Sequence, residues 1–302
     1  MKQTNILIVG GTGFIGYHLA KSALAKKLNV VSFSTKPPIK IRKLKKVKYI
    51  LGDIGKKKDL NKLKKNFTYV VNLGGYVDHS NKKKTFQSHF VGCKNLSDFF
   101  LKKKIKSFIQ IGSCLEYGFS KSPQKENFKC RPNSIYAKSK YLSSSYVIDL
   151  YKKKSFPSTV IRLYQVYGSH QDKNRLIPIV IDSCIKNKKF PCSNGKQFRD
   201  FIHVNDVVKG IFKCMKKEKA KGEIINLGQG SPIKVIKIIN TIKNESKGGF
   251  PEFGKINLRK EESLKLYPSI IKAKKILDWK PKLNFYIQIK KVIKFYKKYD
   301  RS

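Results

Sequence analysis

Short apolar runs rich in Ile, Val and Phe alternate with longer stretches whose apolar positions recur at helical spacing. The pattern predicts strands at 5–9, 29–33, 47–51, 68–73, 107–112 and 158–163, with helices between them. Runs apolar at every position read as strands buried on both faces, which is the condition of a parallel sheet covered by helices. The expected fold class is therefore α/β, a doubly wound parallel sheet. Beyond about residue 164 the alternation loosens, and Gly168, Pro178, Pro191, Gly195, Pro268 and Pro281 punctuate the chain. That change predicts a main domain over 1–165 and a smaller C-terminal α/β lobe over 166–302, with segments returning to the main sheet.

In such sheets ligands bind beyond the carboxyl ends of the strands, and those places carry the informative residues. The first strand, Asn5–Val9, opens into Gly10-Gly11-Thr12-Gly13-Phe14-Ile15-Gly16 and then a helical pattern. Gly10 permits a tight turn, Gly13 a close backbone approach to a pyrophosphate, and Gly16 close helix–strand packing. With Phe14 and Ile15 they make a phosphate cradle at a helix N-terminus, which marks 1–165 as a Rossmann dinucleotide-binding domain. The second strand ends in Ser34-Thr35-Lys36, without the carboxylate that usually binds the adenosine ribose of NAD. Ser34 and Lys36 suit a 2′-phosphate better, so NADP(H) is expected ahead of NAD(H); Lys36 also fits one more surface lysine. Asp53 and Ile54 after the third strand are placed to meet the adenine. Leu73, Gly74 and Gly75 after the fourth let a ribose and phosphates lie along the backbone. Each stretch, taken alone, also fits a plain turn.

Ser113 closes the fifth strand, and Tyr136 and Lys140 follow in Tyr-x-x-x-Lys spacing, one helical turn apart on one face. An ammonium there is expected to lower the phenol's pKa, so that Tyr136 exchanges a proton with an alcohol or carbonyl near neutral pH. The Ser113 hydroxyl is placed to hydrogen-bond the same substrate oxygen.

Length and charge narrow the partners. The 302 residues suffice for one large domain or two intimate lobes. The chain carries 67 Lys and Arg against 19 Asp and Glu, a net charge of +48 that invites a nucleic-acid reading. The lysines are scattered through every segment, with no basic tail or arginine-rich helix, so they read as a solvated surface that attracts anionic small molecules. The first strand begins almost at once and no apolar run nears the roughly 20 residues of a membrane helix. The six cysteines show no Cys-x-x-Cys. A cytoplasmic protein with reduced thiols and no metal site is expected.

Taken together, these residues resemble the extended short-chain dehydrogenase/reductases, specifically the NAD-dependent epimerase/dehydratase family acting on nucleotide-activated sugars. The marks are Gly10-x-x-Gly13-x-x-Gly16, Gly52-Asp53, Asn72–Gly75, Ser113…Tyr117-Gly118, Tyr136-x-x-x-Lys140, Arg162–Gly168, Gln197–Val207, Asn226–Gly228 and the tail Lys272–Pro281. The resemblance implies that Tyr136 is the general acid/base, that Lys140 tunes it and binds the nicotinamide ribose, and that Ser113 orients the sugar oxygen. It implies that Arg199 and Arg259 grip a substrate diphosphate, although Arg199 also fits a salt bridge between lobes. His89 and Gln165 stand where the family usually has Asn and are assigned to the substrate pocket. The expected partner is a nucleotide-diphosphate sugar, and dimerisation through two helices per subunit is common among relatives.

Departures from the family choose among reactions. The 4,6-dehydratases carry an acid pair directly after the catalytic Ser/Thr; here those places hold Cys114 and Leu115, with Glu116 shifted by one. A 4-ketoreductase using NADPH and a 4-epimerase with tightly held NAD both remain. The missing acid after the second strand leans to the reductase. A cofactor-binding scaffold without chemistry is the remaining class, and the intact Ser113–Tyr136–Lys140 set argues against it.

Overall fold

The computed structural model describes residues 4–76, 80–258 and 262–299. All six expected strands form: β1 (Asn5–Val9), β2 (Asn29–Ser34), β3 (Val47–Leu51), β4 (Tyr69–Asn72), β5 (Ser107–Ser113) and β6 (Ser158–Leu163). Joined by β11 (Ile224–Leu227), they lie parallel in one sheet of order β11-β6-β5-β4-β1-β2-β3, the doubly wound arrangement. Helices α1 (Phe14–Ala25), α2 (Lys57–Leu60), α3 (Lys82–Phe86), α4 (Gly92–Leu101) and α5 (Ile135–Lys154) make the crossovers. A π-helical turn, Gln87–Val91, joins α3 to α4.

Alternate side chains of β1 serve opposite faces. Ile6 and Ile8 pack with Leu19, Ala20 and Ala23 of α1, whereas Leu7 and Val9 pack with Leu96 and Phe100 of α4 and Val147 of α5. Two cores, one per face, leave the carboxyl ends of the strands as a shared rim.

The rest of the chain forms β7 (Gln165–Tyr167), α6 (Leu176–Ile185), β8 (Lys189–Cys192), β9 (Phe198–Arg199), β10 (Phe201–His203), α7 (Val204–Lys216), α8 (Val235–Ser246), α9 (Ile271–Leu277) and α10 (Phe285–Tyr299). A separate core binds α6, α8 and α10 through Ile181, Ile239 and Ile289. Besides β7 to β10, one strand of the main sheet itself lies outside the six read from the sequence: β11 (Ile224–Leu227) pairs parallel with β6 and completes that sheet. Four residues interrupted by Asn226 carry too little alternation to announce a strand, and only β6 gives it a partner.

The run Gln197–Val207 acts largely as stapling. Asp200 is fully buried and accepts from the Gln229 and Gly230 amides at 2.6 and 2.7 Å. Asp206, also buried, accepts from the amides of Lys282 and Leu283 at 2.9 and 2.8 Å. Among the described residues no helix is long and apolar enough to cross a membrane.

Candidate functional site

The glycine loop sits where β1 meets α1. Gly10 has φ +76°, in the left-handed region, and donates its amide to Phe33 O at 2.9 Å. Gly13 caps α1 with no side-chain cap and no acid in the first turn, so the helix N-terminal amides face the rim unscreened. A Cβ on Gly16 would lie 2.3 Å from Gly10 O and 2.6 Å from Gly11 Cα. Backbone lies on both sides of that contact, so it cannot give without moving the loop. The cradle therefore fits a dinucleotide pyrophosphate. Gly16→Ala is expected to cost about 1–3 kcal/mol by overpacking, seen as a lower melting temperature and a smaller rise on adding nicotinamide dinucleotide.

Beside this loop opens a cleft of about 420 Å³ lined by Gly10, Gly13, Phe14, Ile15, Gly16, Leu73, Gly75, His89, Ser113, Tyr136, Lys140 and Gln165. Phosphate cradle and proposed chemistry thus face one space. Ser113, the last residue of β5, caps a short 3-10 turn, Cys114–Tyr117; its Oγ accepts from Leu115 N at 3.2 Å. Its own amide donates to Glu116 Oε1 at 2.8 Å. Glu116 is fully buried, accepts from Ser144 Oγ at 3.1 Å and pairs with Arg162 Nε at 2.9 Å. Arg162 also lies 4.3 Å from the centre of the Tyr117 ring. Nothing in the sequence pattern announces this pair; there Glu116 stands out only for its displacement from the acid positions.

Tyr136 and Lys140 stand in the first turns of α5, which is capped by Ser134 Oγ accepting from Ala137 N at 3.2 Å. Lys140 is 5 % exposed, and its Nζ donates to Ile111 O at 2.8 Å, 6.0 Å from the centre of the Tyr136 ring. Here the structure corrects the expectation of an acidified phenol. Burial pushes Tyr136 up to about 12, Cys114 and Glu116 push the same way, and Ser113's hydrogen bond and the Arg175 charge pull against them. The ammonium is held on a carbonyl and lies over the ring. Burial also pushes Lys140 down to about 8, against the pull of Glu116 and Cys93.

A base whose folded pKa lies below its unfolded 10.5 opposes folding wherever the unfolded chain holds that proton more tightly. At neutral pH the lysine's burial therefore costs about 3 kcal/mol, a penalty that fades as pH rises from about 8 to 10.5. Lys140→Met is expected to raise the melting temperature at pH 7 while abolishing turnover. Ile111 O keeps its bond from Gln110 Nε2 at 3.1 Å. Melts at pH 7 and pH 10 check the sign, since the advantage of the variant shrinks at the higher pH.

His89 sits in the π turn, buried, its ring edge-on to Tyr136 with centroids 5.0 Å apart. Its Nε2 lies 3.2 Å from Tyr76 O; a carbonyl only accepts, so that nitrogen carries the hydrogen.

Several expected cofactor residues lie outside the cleft lining. Ser34 sits behind the glycine loop, its Oγ accepting from Thr12 N at 3.4 Å, and Lys36 is exposed. Asp53 Oδ1 closes a turn by accepting from Gly55 N at 2.8 Å. Ile54 is buried beneath Gly74. Arg199 is buried, ion-paired with Glu262 and donating to Phe198 O at 2.8 Å, close enough for its charge to act on the Cys114 thiol. Arg259 lies outside the described residues. Several lining residues were missed, Gln171 and Asp172 among them; the charged one that bears on the chemistry is Arg175, which caps α6 and whose charge reaches Tyr136. An arginine opening an apolar run in a lysine-dominated chain was the available signal.

Residues 6–228 match the NAD dependent epimerase/dehydratase family. A putative UDP-glucose 4-epimerase of Methanocaldococcus jannaschii is 27% identical, over 98% of this chain and 100% of its own length. Human dTDP-D-glucose 4,6-dehydratase is 28% identical, over 97% of this chain and 89% of its own length. The UDP-glucuronic acid 4-epimerase of Bacillus cereus, solved in complex with UDP-glucuronic acid and NAD, shares the fold with a TM-score of 0.88. It is 21% identical, over 98% of this chain and 100% of that one.

Proposed function

This chain belongs to the NAD dependent epimerase/dehydratase family, and from that footing we propose that it is a nucleotide-sugar 4-epimerase. The observation that carries the reading is the shared cleft, in which Ser113, Tyr136 and Lys140 face the cradle of Gly10, Gly13 and Gly16. The relatives are named for UDP- and dTDP-sugar substrates, and the putative 4-epimerase matches over 98% of this chain and 100% of its own length. Residues 1–165 are proposed as the cofactor domain and 166–302 as the substrate lobe.

A nicotinamide dinucleotide held at Gly10, Gly13 and Gly16 would supply a reversible hydride acceptor for a sugar carbon. The chain's own work is proton handling. As the phenolate, Tyr136 would take the alcohol's proton as hydride leaves the carbon and give it back to the carbonyl oxygen as hydride returns; burial alone holds the phenol neutral up to about pH 12, so the positive ring of an oxidised nicotinamide would have to favour that phenolate. The Ser113 Oγ already accepts from Leu115 N, so its hydrogen is free to donate toward Tyr136 or the same oxygen. Lys140, charged below about pH 8, adds a cation near both. Gln165 and His89 face the substrate side of the cleft, and Arg175 offers a cation at its wall. For Arg199 a diphosphate contact requires exchanging Glu262 for substrate.

Dehydration is disfavoured by the residues in the acid-pair places: burial pushes the Cys114 thiol up to about 12, and Leu115 carries no proton. A 4-ketoreductase is the second reading, favoured by Ser34-Thr35-Lys36 at the end of β2 and the NADP(H) they suit. The purified protein separates them when incubated with UDP-glucose, UDP-glucuronic acid and dTDP-glucose while nicotinamide absorbance is followed. Inversion at C4 without net change in reduced cofactor supports the epimerase. Stoichiometric consumption of NADPH by a 4-keto sugar, without epimerisation, replaces it with the reductase.

A further inference from the structure

Between β7 and α6 the chain runs along the cleft, presenting Gln171, Asp172 and Arg175 to it. Three consecutive carbonyls of this segment are gripped from behind by three different elements. His18 of α1 donates from Nε2 to Ser169 O at 2.8 Å. Arg42, in the 3-10 turn Lys40–Arg42 that follows β2, donates from Nε to His170 O at 2.9 Å. The same guanidinium reaches Asp172 Oδ1 at 2.7 Å. Tyr296 of α10 donates to Gln171 O at 2.9 Å. At the centre His170 has φ +65°, a left-handed conformation that a non-glycine residue keeps only when its surroundings impose it. Its ring lies between Tyr17 and Phe295, with centroids at 4.5 and 4.4 Å.

Arg42 is 6 % exposed, so its fork is committed to this segment and is not a surface lysine's equivalent. A planar guanidinium holding a carbonyl and a carboxylate at once fixes direction as well as distance. Two of the three grips come from the cofactor side, because α1 carries the glycine loop at its N-terminus and the Arg42 turn continues from Ser34 and Lys36.

We propose that Arg42 is a positioning residue for the substrate: it holds the Ser169–Arg175 segment against the dinucleotide-binding side, so that sugar-nucleotide affinity depends on a residue that touches neither ligand. The proposal rests on the nucleotide-sugar reading for its kinetic consequence and on geometry alone for its structural one.

The test uses Arg42→Met, Arg42→Lys and Tyr296→Phe in the full chain. Hydrogen exchange read by mass spectrometry should show residues 169–175 exchanging about tenfold faster in Arg42→Met, with residues 10–16 unchanged. With UDP-glucose as probe, the KM should rise about tenfold, with kcat and NADH affinity held within about twofold. Tyr296→Phe should move the same parameters less, and Arg42→Lys should recover only part of the loss. Unchanged exchange at 169–175 overturns the clamp whatever the activity. A fall in NADH or NADPH affinity with an unchanged KM overturns it too, by placing Arg42 in the cofactor site. If the wild type neither binds nor turns over a nucleotide sugar, the function reading fails while the exchange result still decides the clamp.

Discussion

Tyr136→Phe is expected to lower turnover by about 10²–10⁴-fold, the range for removing a positioned acid/base, while the protein still binds nicotinamide dinucleotide and keeps its melting temperature within a degree or two. The selectivity follows from where the hydroxyl lies. The ring packs edge-on against His89 and beneath Lys140, and phenylalanine preserves both contacts. Tyr136 lines the cleft, and its hydroxyl has Ser113 as a hydrogen-bond partner. Isothermal titration with NADH and a melt with and without cofactor report binding and folding; a coupled assay reports turnover. Retained activity in the variant would remove Tyr136 from the chemistry and leave the cleft as a binding site only.

The second large effect belongs to Glu116. Glu116→Gln leaves Arg162, 2 % exposed, without its counter-charge, and breaking a buried pair from one side costs about 3–5 kcal/mol. A drop in melting temperature on the order of 10 °C is expected. Glu116 Oε1 also receives the Ser113 amide, so the lesion reaches the hydroxyl that orients substrate, and kcat should fall with it. The double variant Glu116→Leu, Arg162→Met separates the two roles. Removing both charges together should restore most of the stability, whereas the loss of kcat should persist because nothing then holds the Ser113 turn. Restoration of both would mean that Glu116 acts on folding alone.

What was legible in the sequence was local. The glycine loop, the Tyr136–Lys140 spacing and all six central strands are each written within a few consecutive residues, where strand and helix periodicity suffices. The Glu116–Arg162 pair joins residues 46 apart, and the His18 grip on Ser169 joins residues 151 apart. No periodicity carries such information. The sense of the Tyr136 shift was misjudged for a related reason: spacing places a lysine one turn away, but enclosure sets the cost of a phenolate, and enclosure comes from the β5–α5 packing and the Leu163–Val166 wall. Arg199 is singled out by the family resemblance, and its ion pair with Glu262 was out of reach because the two come from separate segments.

The place of β11 bears on how the protein is made. Because Ile224–Leu227 is hydrogen-bonded only to β6 within the sheet, a nascent chain leaving the ribosome has an open, apolar sheet margin from residue 163 until some sixty further residues have emerged. A fragment stopping at 165 would keep that margin permanently and should aggregate when expressed alone. The smallest unit that can be produced, swapped between relatives or fused to another protein is therefore one that reaches past residue 227.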